Sequence, residues 1–263
     1  MTRRAARATV DGLGMAYDRA GQGPPMLAIH GWASDRRSFD ALRPFLSAQF
    51  AMVLPDLPGF GASADAVPDD LSLPATARRL LDLLDHLSVT DPVMLAGHSM
   101  GALLSLEMLR LAPARCAGAV LLDPAPIVWQ DRSRAGMEAT LAGLEQDLPG
   151  TLAGLRERAF FRRHEPQWVR DAVAQAAEPA SADAIVRGFR AMLDWDGPAA
   201  LAAAAGHRLL YVAADRPQNR EADLRALAPN LHWGQTVGHG HFAHMMAPDQ
   251  VTAMIATFLT LPA

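Results

Sequence analysis

Apolar and polar residues alternate in blocks along most of the chain, and these blocks predict buried strands separated by amphipathic helices. Five short apolar runs each end in a polar residue or a glycine: "PMLAIHG", "FAMVLPD", "PVMLAGHS", "AGAVLLDP" and "RLLYVAAD". A strand that is buried on both faces of a parallel sheet has such a continuous apolar run. The more polar "LHWGQTVGHGH" is a later strand candidate, and the glycine-punctuated segment 8–21 predicts an opening hairpin.

Two segments have the period of an amphipathic helix. In "LSLPATARRLLDLLDHL" the spacing places apolar residues on one face, namely Leu73, Ala77, Leu80, Leu84 and Leu87. It places charged residues on the other face, namely Arg78, Arg79, Asp82 and Asp85. The last segment begins at Pro248 and repeats apolar residues at Val251, Met254, Ile255, Phe258 and Leu259. Both segments are therefore predicted to be helices that lie on a sheet.

The alternation of strands and helices stops between about residues 125 and 206. Helical patterns follow one another there without an intervening strand, and several prolines separate them. We therefore predict an α/β fold with a mostly parallel central sheet flanked by helices, in which 1–124 and 206–263 form the core. Residues 125–205 would form an all-helical cap of about four helices over the carboxyl edge of the sheet, where α/β folds bind ligands.

Composition narrows the function classes and the partners. The formal net charge is −4, from 28 acidic and 24 basic residues, and no basic stripe marks a nucleic-acid partner. Cys116 is the only cysteine, so no internal disulfide and no multi-cysteine metal site are expected. No apolar run is long enough for a membrane span, and Asp11 interrupts the opening segment where a signal peptide needs an apolar stretch. A reducing, cytoplasmic location is the default expectation.

The stretch "LAGHSMGALL" places Ser99 between Gly97 and Gly101, where a buried-strand pattern changes to a helical one. A serine on a sharp strand-to-helix turn has a strained backbone and close neighbours, so it needs small flanking residues. The alternative is a small polar residue in a tight turn. The strand before the motif and the helix after it favour a catalytic nucleophile.

A serine nucleophile requires an oriented base, and "VGHGHFAHMMAP" offers three histidines: His239, His241 and His244. This segment resembles the last catalytic loop of the α/β-hydrolase superfamily, which commonly reads G-x-G-H-F and ends in a proline. The resemblance selects His241 as the base. "HGW" at 30–32 and "DLPGFGAS" at 56–63 resemble segments of small capped carboxylesterases in the same superfamily.

Two aspartates at the ends of apolar runs are candidates for the acid that orients the histidine. They are Asp123 in "AVLLDPAP" and Asp215 in "LLYVAAD". The family more often has its acid after the strand that follows the cap, and this resemblance favours Asp215, with Asp123 as the alternative. The family loop usually has a glycine shortly before that aspartate, whereas Val212, Ala213 and Ala214 precede it here.

Acyl transfer also requires donors for an oxyanion. His30-Gly31 resembles the oxyanion loop of the family, which implies that the backbone N–H groups of Trp32 and Met100 are the donors. His30 is expected to brace this loop rather than to act as an acid or base.

The cap contains most of the apolar residues that we expect to contact a substrate. The candidates for substrate binding are Trp32, Trp129, Met137, Phe160, Trp195 and Phe242; packing of helices on the core explains the same residues. Four arginines at helical spacing either form a solvated face or meet an acidic acyl carrier: Arg156, Arg158, Arg162 and Arg163.

The sequence thus predicts a serine hydrolase that cleaves carboxylic esters through an acyl-enzyme. Ser99 would be the nucleophile, His241 the base and Asp215 the orienting acid, with no metal and no cofactor. Lactones, thioesters and C–C bonds are alternative substrates for the same residues. A cofactor-free oxygenase and a non-catalytic binding protein on the same fold are the alternatives from other classes.

Overall fold

A computed structural model describes residues 5–261, and eight strands form one sheet within this range. Residues 1–4 and 262–263, which belong to the predicted core, lie outside the described residues. The start of the opening segment, which we did not expect to be a signal peptide, lies outside them too. The strands are β1 (Ala6–Val10), β2 (Leu13–Ala20), β3 (Pro25–Ile29), β4 (Ala51–Pro55), β5 (Val93–His98), β6 (Cys116–Leu122), β7 (Arg208–Ala213) and β8 (His232–Gln235). Each predicted apolar run contains one of these strands.

The strands lie in the order β1-β2-β4-β3-β5-β6-β7-β8. β1 pairs with β2 and β2 pairs with β4 in the antiparallel sense, while all other neighbours are parallel. The prediction of a mostly parallel sheet is confirmed. Because the parallel strands run in one direction, their carboxyl ends meet at one edge of the sheet.

The opening hairpin turns at Asp11 and Gly12, which both have positive φ values of 52° and 74°. Two consecutive positive φ values match the right-handed twist of a hairpin, and an Asp-Gly pair adopts them readily. Arg79, predicted on the solvent face of its helix, is instead buried. Its Nε donates to Asp11 Oδ2 at 3.0 Å and its Nη1 donates to the Asp70 carbonyl at 2.7 Å, so it anchors the hairpin to the helix.

Eleven α-helices accompany the sheet within residues 5–261. They are α1 (Arg43–Ser47), α2 (Leu73–His86), α3 (Met100–Leu111), α4 (Asp131–Gln146), α5 (Leu148–Leu155), α6 (Gln167–Ala177), α7 (Ala182–Asp194), α8 (Gly197–Ala204), α9 (Glu221–Leu227), α10 (Ala243–Met246) and α11 (Pro248–Thr260). Both helices predicted from amphipathic patterns, α2 and α11, are present. No helix of the described part of the chain is long and apolar enough to cross a membrane.

Helices α4–α8 follow one another between β6 and β7, together with a π-helical turn at Arg156–Phe160. The segment contains five α-helices where the sequence predicted about four. We refer to residues 125–205 as the cap, and its division from the core at these bounds stays a prediction.

The sheet separates two apolar layers. Along β3, Leu27 and Ile29 belong to one buried cluster, whereas Met26 and Ala28 belong to the other. This alternation follows from the two-residue period of a strand. The first cluster includes residues of α2, α3 and the cap, and the second includes residues of α11. A core with both faces covered holds the strand ends rigidly, which is a requirement for a precise site on loops.

Candidate active site

Ser99 occupies a sharp turn between β5, which ends at His98, and α3, which begins at Met100. Its φ and ψ are 53° and −115°, a region that L-residues rarely adopt and that costs about 1–3 kcal/mol. The Ser99 N–H donates to the Leu122 carbonyl at 3.0 Å, which ties the turn to the neighbouring strand β6. The sequence motif therefore forms the strained strand-to-helix turn that it predicts.

The glycines that flank Ser99 are required by contact distances. A Cβ on Gly97 would lie 2.2 Å from the Gly101 carbonyl oxygen, and a Cβ on Gly101 would lie 2.1 Å from the Ile29 carbonyl oxygen. Both separations are far below van der Waals contact, and the obstructing atoms are backbone. Only glycine lets β3, β5 and α3 approach one another closely enough to form this turn.

His241 and Asp123 form a buried pair at the carboxyl edge of the sheet. His241 Nδ1 lies 2.7 Å from Asp123 Oδ2, and both side chains are less than a tenth exposed. The other oxygen, Oδ1, accepts the Ala214 N–H at 3.1 Å, and the Asp123 N–H donates to the Val212 carbonyl at 2.8 Å. The start of the loop after β7 thus holds the carboxylate that follows β6.

The structure contradicts the expectation that Asp215 orients the histidine. The side chain of Asp215 is 43% exposed, and its Oδ2 lies 3.5 Å from Arg162 Nε of the cap. Its backbone N–H donates to the His239 carbonyl at 2.9 Å. The physical reason is that Asp123 already occupies the position beside His241, so the chain after β7 contributes the Ala214 N–H there and the Asp215 carboxylate turns outward.

Three further histidines accompany His241, and two of them, His98 and His244, are buried. The rings of His98 and His241 have centroids 4.7 Å apart, those of His98 and His244 4.2 Å, and His98 Nε2 donates to the His241 carbonyl at 2.9 Å. Burial lowers the pKa of His244 to about 3 and holds the pKa of His98 well below its usual value. His239 is partly buried and does not line the cavity described below. Of the three histidines that the sequence offered, only His241 therefore meets a carboxylate.

The loop of residues 30–32 passes directly beside the serine. A Cβ on Gly31 would lie 3.2 Å from Ser99 Cβ. His30 Nε2 accepts the Leu57 N–H at 2.9 Å and its Nδ1 donates to the Gly31 carbonyl at 2.7 Å, so the ring braces the loop as expected; burial lowers its pKa. The Gly31 carbonyl and the Trp32 N–H belong to the same trans peptide and point in opposite directions. Because the carbonyl points to the His30 ring, the Trp32 N–H points away from it.

The two predicted oxyanion donors are available for a ligand. Met100 is the first residue of α3, and the first N–H groups of a helix have no acceptor within the helix. In residues 5–261 neither the Trp32 N–H nor the Met100 N–H donates to a protein acceptor. One donor follows Ser99 in the chain and the other follows Gly31, which touches Ser99.

A cavity of about 160 Å³ joins the serine, the histidine and the cap. The core supplies Trp32, His98, Ser99, Gln218, His241 and Phe242 to its lining. The cap supplies Ala125, Met137, Leu155, Ala159, Phe160, Phe189 and Met192. Most of this lining is apolar, and the residues that can hydrogen-bond are concentrated at Ser99 and His241, with Gln218 on the loop after β7.

Four of the six residues expected to bind a substrate line the cavity, and two do not. Trp195 is buried against α3, where its Nε1 donates to Glu107 Oε2 at 2.9 Å. Trp129 packs on the core and its ring lies 5.9 Å from the Arg134 guanidinium. Both tryptophans serve to dock the cap. An aromatic residue on an amphipathic helix gives the same sequence signal in either role.

Sequence reasoning missed several lining residues. Phe189 and Met192 share the apolar face of α7, and that periodicity does not distinguish contact with a cavity from contact with the core. Leu155 and Ala159 lie at the end of α5 and in the π-helical turn, which no sequence pattern indicated. Gln218 follows Pro217 in a polar loop and carried no signal.

Comparison with known proteins agrees with this geometry. A family model described as "Alpha/beta hydrolase family" matches residues 26–254. The chain is 27% identical to the magnesium-chelatase 30 kDa subunit of Rhodobacter capsulatus, over 90% of this chain and 87% of that protein.

Two further similarities concern esterases. The chain is 32% identical to a pimeloyl-[acyl-carrier protein] methyl ester esterase of Methylococcus capsulatus, over 48% of this chain and 47% of that protein. A thermophilic esterase structure from Thermogutta terrifontis superposes with a TM-score of 0.84 at 23% identity and 98% coverage of both chains. The prediction of an α/β-hydrolase enzyme is confirmed at the level of the family. The match across most of the chain, the eight-stranded sheet and the strained serine turn together show that the chain belongs to the alpha/beta hydrolase family.

Proposed function

We propose that this chain is a serine hydrolase that cleaves carboxylic esters through a covalent acyl-enzyme, with Ser99, His241 and Asp123 as its catalytic residues. The observation that carries the proposal is the 2.7 Å contact of His241 Nδ1 with Asp123, on the wall of the cavity that Ser99 also lines. A carboxylate at Nδ1 keeps the proton on that nitrogen and leaves Nε2 as the basic atom.

In the first half of the reaction His241 Nε2 accepts the proton of the Ser99 hydroxyl while Oγ attacks the ester carbonyl carbon. The carbonyl π electrons move to the oxygen, and the Trp32 and Met100 N–H groups stabilise the resulting oxyanion. The tetrahedral intermediate collapses by expelling the alkoxide leaving group, which takes the proton from His241. The products are the free alcohol and Ser99 esterified by the acyl group.

In the second half water takes the place of the alcohol. His241 Nε2 removes a proton from the water, whose oxygen attacks the acyl carbon, and the collapse of the second intermediate returns the proton to Ser99 Oγ. Asp123 stabilises the imidazolium that forms in each half and does not itself take the proton. The carboxylic acid leaves and the enzyme is restored.

The cavity supports a preference for short, apolar acyl groups. Its volume of about 160 Å³ is below the roughly 300–1,000 Å³ of sites for drug-sized ligands, and its cap side is lined by apolar side chains. Lactones and thioesters present the same electrophilic carbonyl and are included in the proposal. Esters bound to an acyl carrier are one specific class of substrate within the same proposal. The cap would have to move aside for such a substrate to reach Ser99.

The test combines a fluorophosphonate probe, peptide mapping and p-nitrophenyl esters of graded chain length. We expect labelling at Ser99, loss of both labelling and hydrolysis in Ser99→Ala, and higher kcat/KM for acetyl and butyryl than for octanoyl esters. Labelling at another residue, or hydrolysis that persists in Ser99→Ala, would overturn the proposal. Oxygen uptake with an N-heteroaromatic substrate in place of ester cleavage would favour the oxygenase alternative.

A further inference from the structure

Residues 238–241, the histidine loop, are held by hydrogen bonds at every position. The core contributes four contacts: Asp215 N–H to the His239 carbonyl at 2.9 Å, Ala243 N–H to the Gly240 carbonyl at 3.0 Å, His98 Nε2 to the His241 carbonyl at 2.9 Å, and Asp123 at His241 Nδ1. The other three come from residues 160–165 of the cap, the cap turn. They involve the Gly238 carbonyl, the Gly240 N–H and the His241 N–H.

Glu165 makes the central contact between the cap turn and the histidine loop. Its side chain is buried, Oε1 accepts the Gly240 N–H, and Oε2 accepts the Arg162 N–H at 2.7 Å. The Glu165 carboxylate thus joins the N–H of Gly240, the residue before His241, to the N–H of Arg162 in the cap turn. Hydrogen bonds from N–H groups to a charged acceptor are about twice as strong as those between neutral groups.

Phe160 and His164 hold the loop on either side of Glu165. The Phe160 carbonyl accepts the His241 N–H at 3.0 Å, and its ring stacks on the imidazole with centroids 4.8 Å apart. His164 Nε2 donates to the Gly238 carbonyl at 2.6 Å. Gly240 fits between them only because glycine has no Cβ. A Cβ at this position would lie 2.5 Å from the Phe160 carbonyl oxygen.

We propose that Glu165 is a positioning residue for His241, and that the cap turn keeps the histidine in its reactive orientation. Glu165 does not line the cavity, and its direct contact with the catalytic side is the hydrogen bond to Gly240 of the histidine loop. The inference deepens the proposed function and rests on it. It also implies that the cap acts on the chemical step as well as on substrate binding, because movement of the cap turn removes three of the seven hydrogen-bond contacts on the loop.

The direct test is Glu165→Gln compared with Glu178→Gln. The amide oxygen of a glutamine at 165 can accept a hydrogen bond from the N–H of Gly240 or of Arg162. Its amide nitrogen is a donor, so it cannot accept a hydrogen bond from the other N–H group. We expect kcat for a short p-nitrophenyl ester to fall about 10- to 100-fold with KM within about twofold, because small displacements of reacting groups cost this much. Glu178 is an exposed cap glutamate that forms no ion pair within residues 5–261, and its variant should behave as the wild type.

An NMR measurement reports on the position of His241 without turnover. The Nδ1–H proton shared with Asp123 should give a downfield signal in the wild type and in Glu178→Gln, and this signal should be lost or broadened in Glu165→Gln. A merely structural role for Glu165 would lower the melting temperature and leave the signal and kcat of the folded protein intact. That outcome would overturn the proposal.

A second pair of variants avoids the buried position. His164 is exposed, so its replacement should not impair folding. We expect His164→Ala to lower kcat about 2- to 10-fold, the effect of one hydrogen bond, whereas His164→Gln retains an N–H donor and should restore most of the rate. Equal rates for the alanine variant and the wild type, together with an unchanged Glu165→Gln, would contradict a positioning cap turn.

The two hypotheses fail in different ways. If the proposed function is wrong, wild type and Ser99→Ala hydrolyse the ester at the same rate, whatever stands at 165. If only the positioning role is wrong, hydrolysis depends on Ser99, while Glu165→Gln matches Glu178→Gln in kcat and in the Nδ1–H signal.

Discussion

The loops after β6 and β7 each begin at the carboxyl edge of the sheet and each contain an aspartate, but the two carboxylates lie in opposite environments. Asp123 is buried, contacts His241 at 2.7 Å and accepts the Ala214 N–H. Asp215 is 43% exposed and lies opposite Arg162 of the cap. Two aspartates with nearly the same sequence context therefore have different surroundings. The direction in which each loop leaves its strand decides which aspartate contacts His241.

This difference shows what a carboxylate needs in order to orient a histidine. Asp123 has a positive φ of 37°, its N–H donates to the Val212 carbonyl and its Oδ1 accepts the Ala214 N–H, so the end of β7 holds both its backbone and its side chain. Asp215 is 43% exposed and its side chain has a single ion-pair contact, at 3.5 Å from Arg162 Nε. Ion pairs with an exposed partner contribute about 1 kcal/mol or less. Burial and backbone hydrogen bonds, more than the residue type, therefore distinguish the carboxylate that contacts His241 from the one that does not.

The largest expected effect comes from removing the two carboxylates in turn. Asp123→Asn should lower kcat for a short ester about 10³- to 10⁴-fold, because an amide beside Nδ1 favours the wrong tautomer of the histidine. Asp215→Asn should change kcat by less than about threefold. Comparable losses in the two variants would remove the distinction between the loops.

The second effect concerns the pH dependence of stability and comes from His244, which is buried beside His98 at the end of β5. The pKa of His244 is about 3 in the folded protein, against about 6.5 when unfolded, so below pH 6.5 the unfolded chain binds more protons. The free energy of unfolding should then fall as the pH falls, by up to about 1.4 kcal/mol per pH unit for this group. Urea unfolding between pH 5.5 and 4.5 measures the slope.

The variant that checks this slope is His244→Gln. Loss of the buried histidine should make the fall in stability with pH shallower than in the wild type. Identical slopes in the two proteins would mean that burial does not lower the pKa of His244.

A smaller effect is expected from Gln218, the residue by which the loop after β7 reaches the cavity. Gln218→Ala should raise KM about 2- to 10-fold with kcat unchanged, since a neutral hydrogen bond to substrate contributes about 0.5–1.5 kcal/mol. Steady-state kinetics with a short p-nitrophenyl ester measure this split. A loss confined to kcat would place this loop in the chemical step instead.

The smallest effect is that of the ion pair between Asp215 and Arg162. Asp215→Asn should lower the free energy of unfolding by less than about 1 kcal/mol, because the carboxylate is partly exposed and its contact distance is 3.5 Å. Thermal unfolding at low and high salt measures it. A loss of several kcal/mol would show that the loop after β7 is held by this pair.

The sequence alone was enough to predict the sheet and the strained turn, and its resemblance to the family singled out His241, the histidine that contacts a buried carboxylate. The continuous apolar runs, the glycines around Ser99 and the histidine-rich segment before Pro248 carry local signals, because burial on both faces and close backbone contacts constrain each residue type at its own position. Arg79 is an exception, since helical spacing placed it in solvent and the hairpin turn covers it instead.

Only the tertiary structure decided which carboxylate contacts His241, which residues line the cavity and what the cap turn contacts. Asp123 and Asp215 lie 92 positions apart, and no local pattern tells which carboxylate meets a histidine more than a hundred residues after Asp123. Trp195 and Phe189 have the same amphipathic signal, yet one docks on α3 and the other lines the cavity. Glu165 had no signal at all. Each of these assignments depends on packing between segments remote in the chain, whereas sequence periodicity reports only which face of one segment is buried.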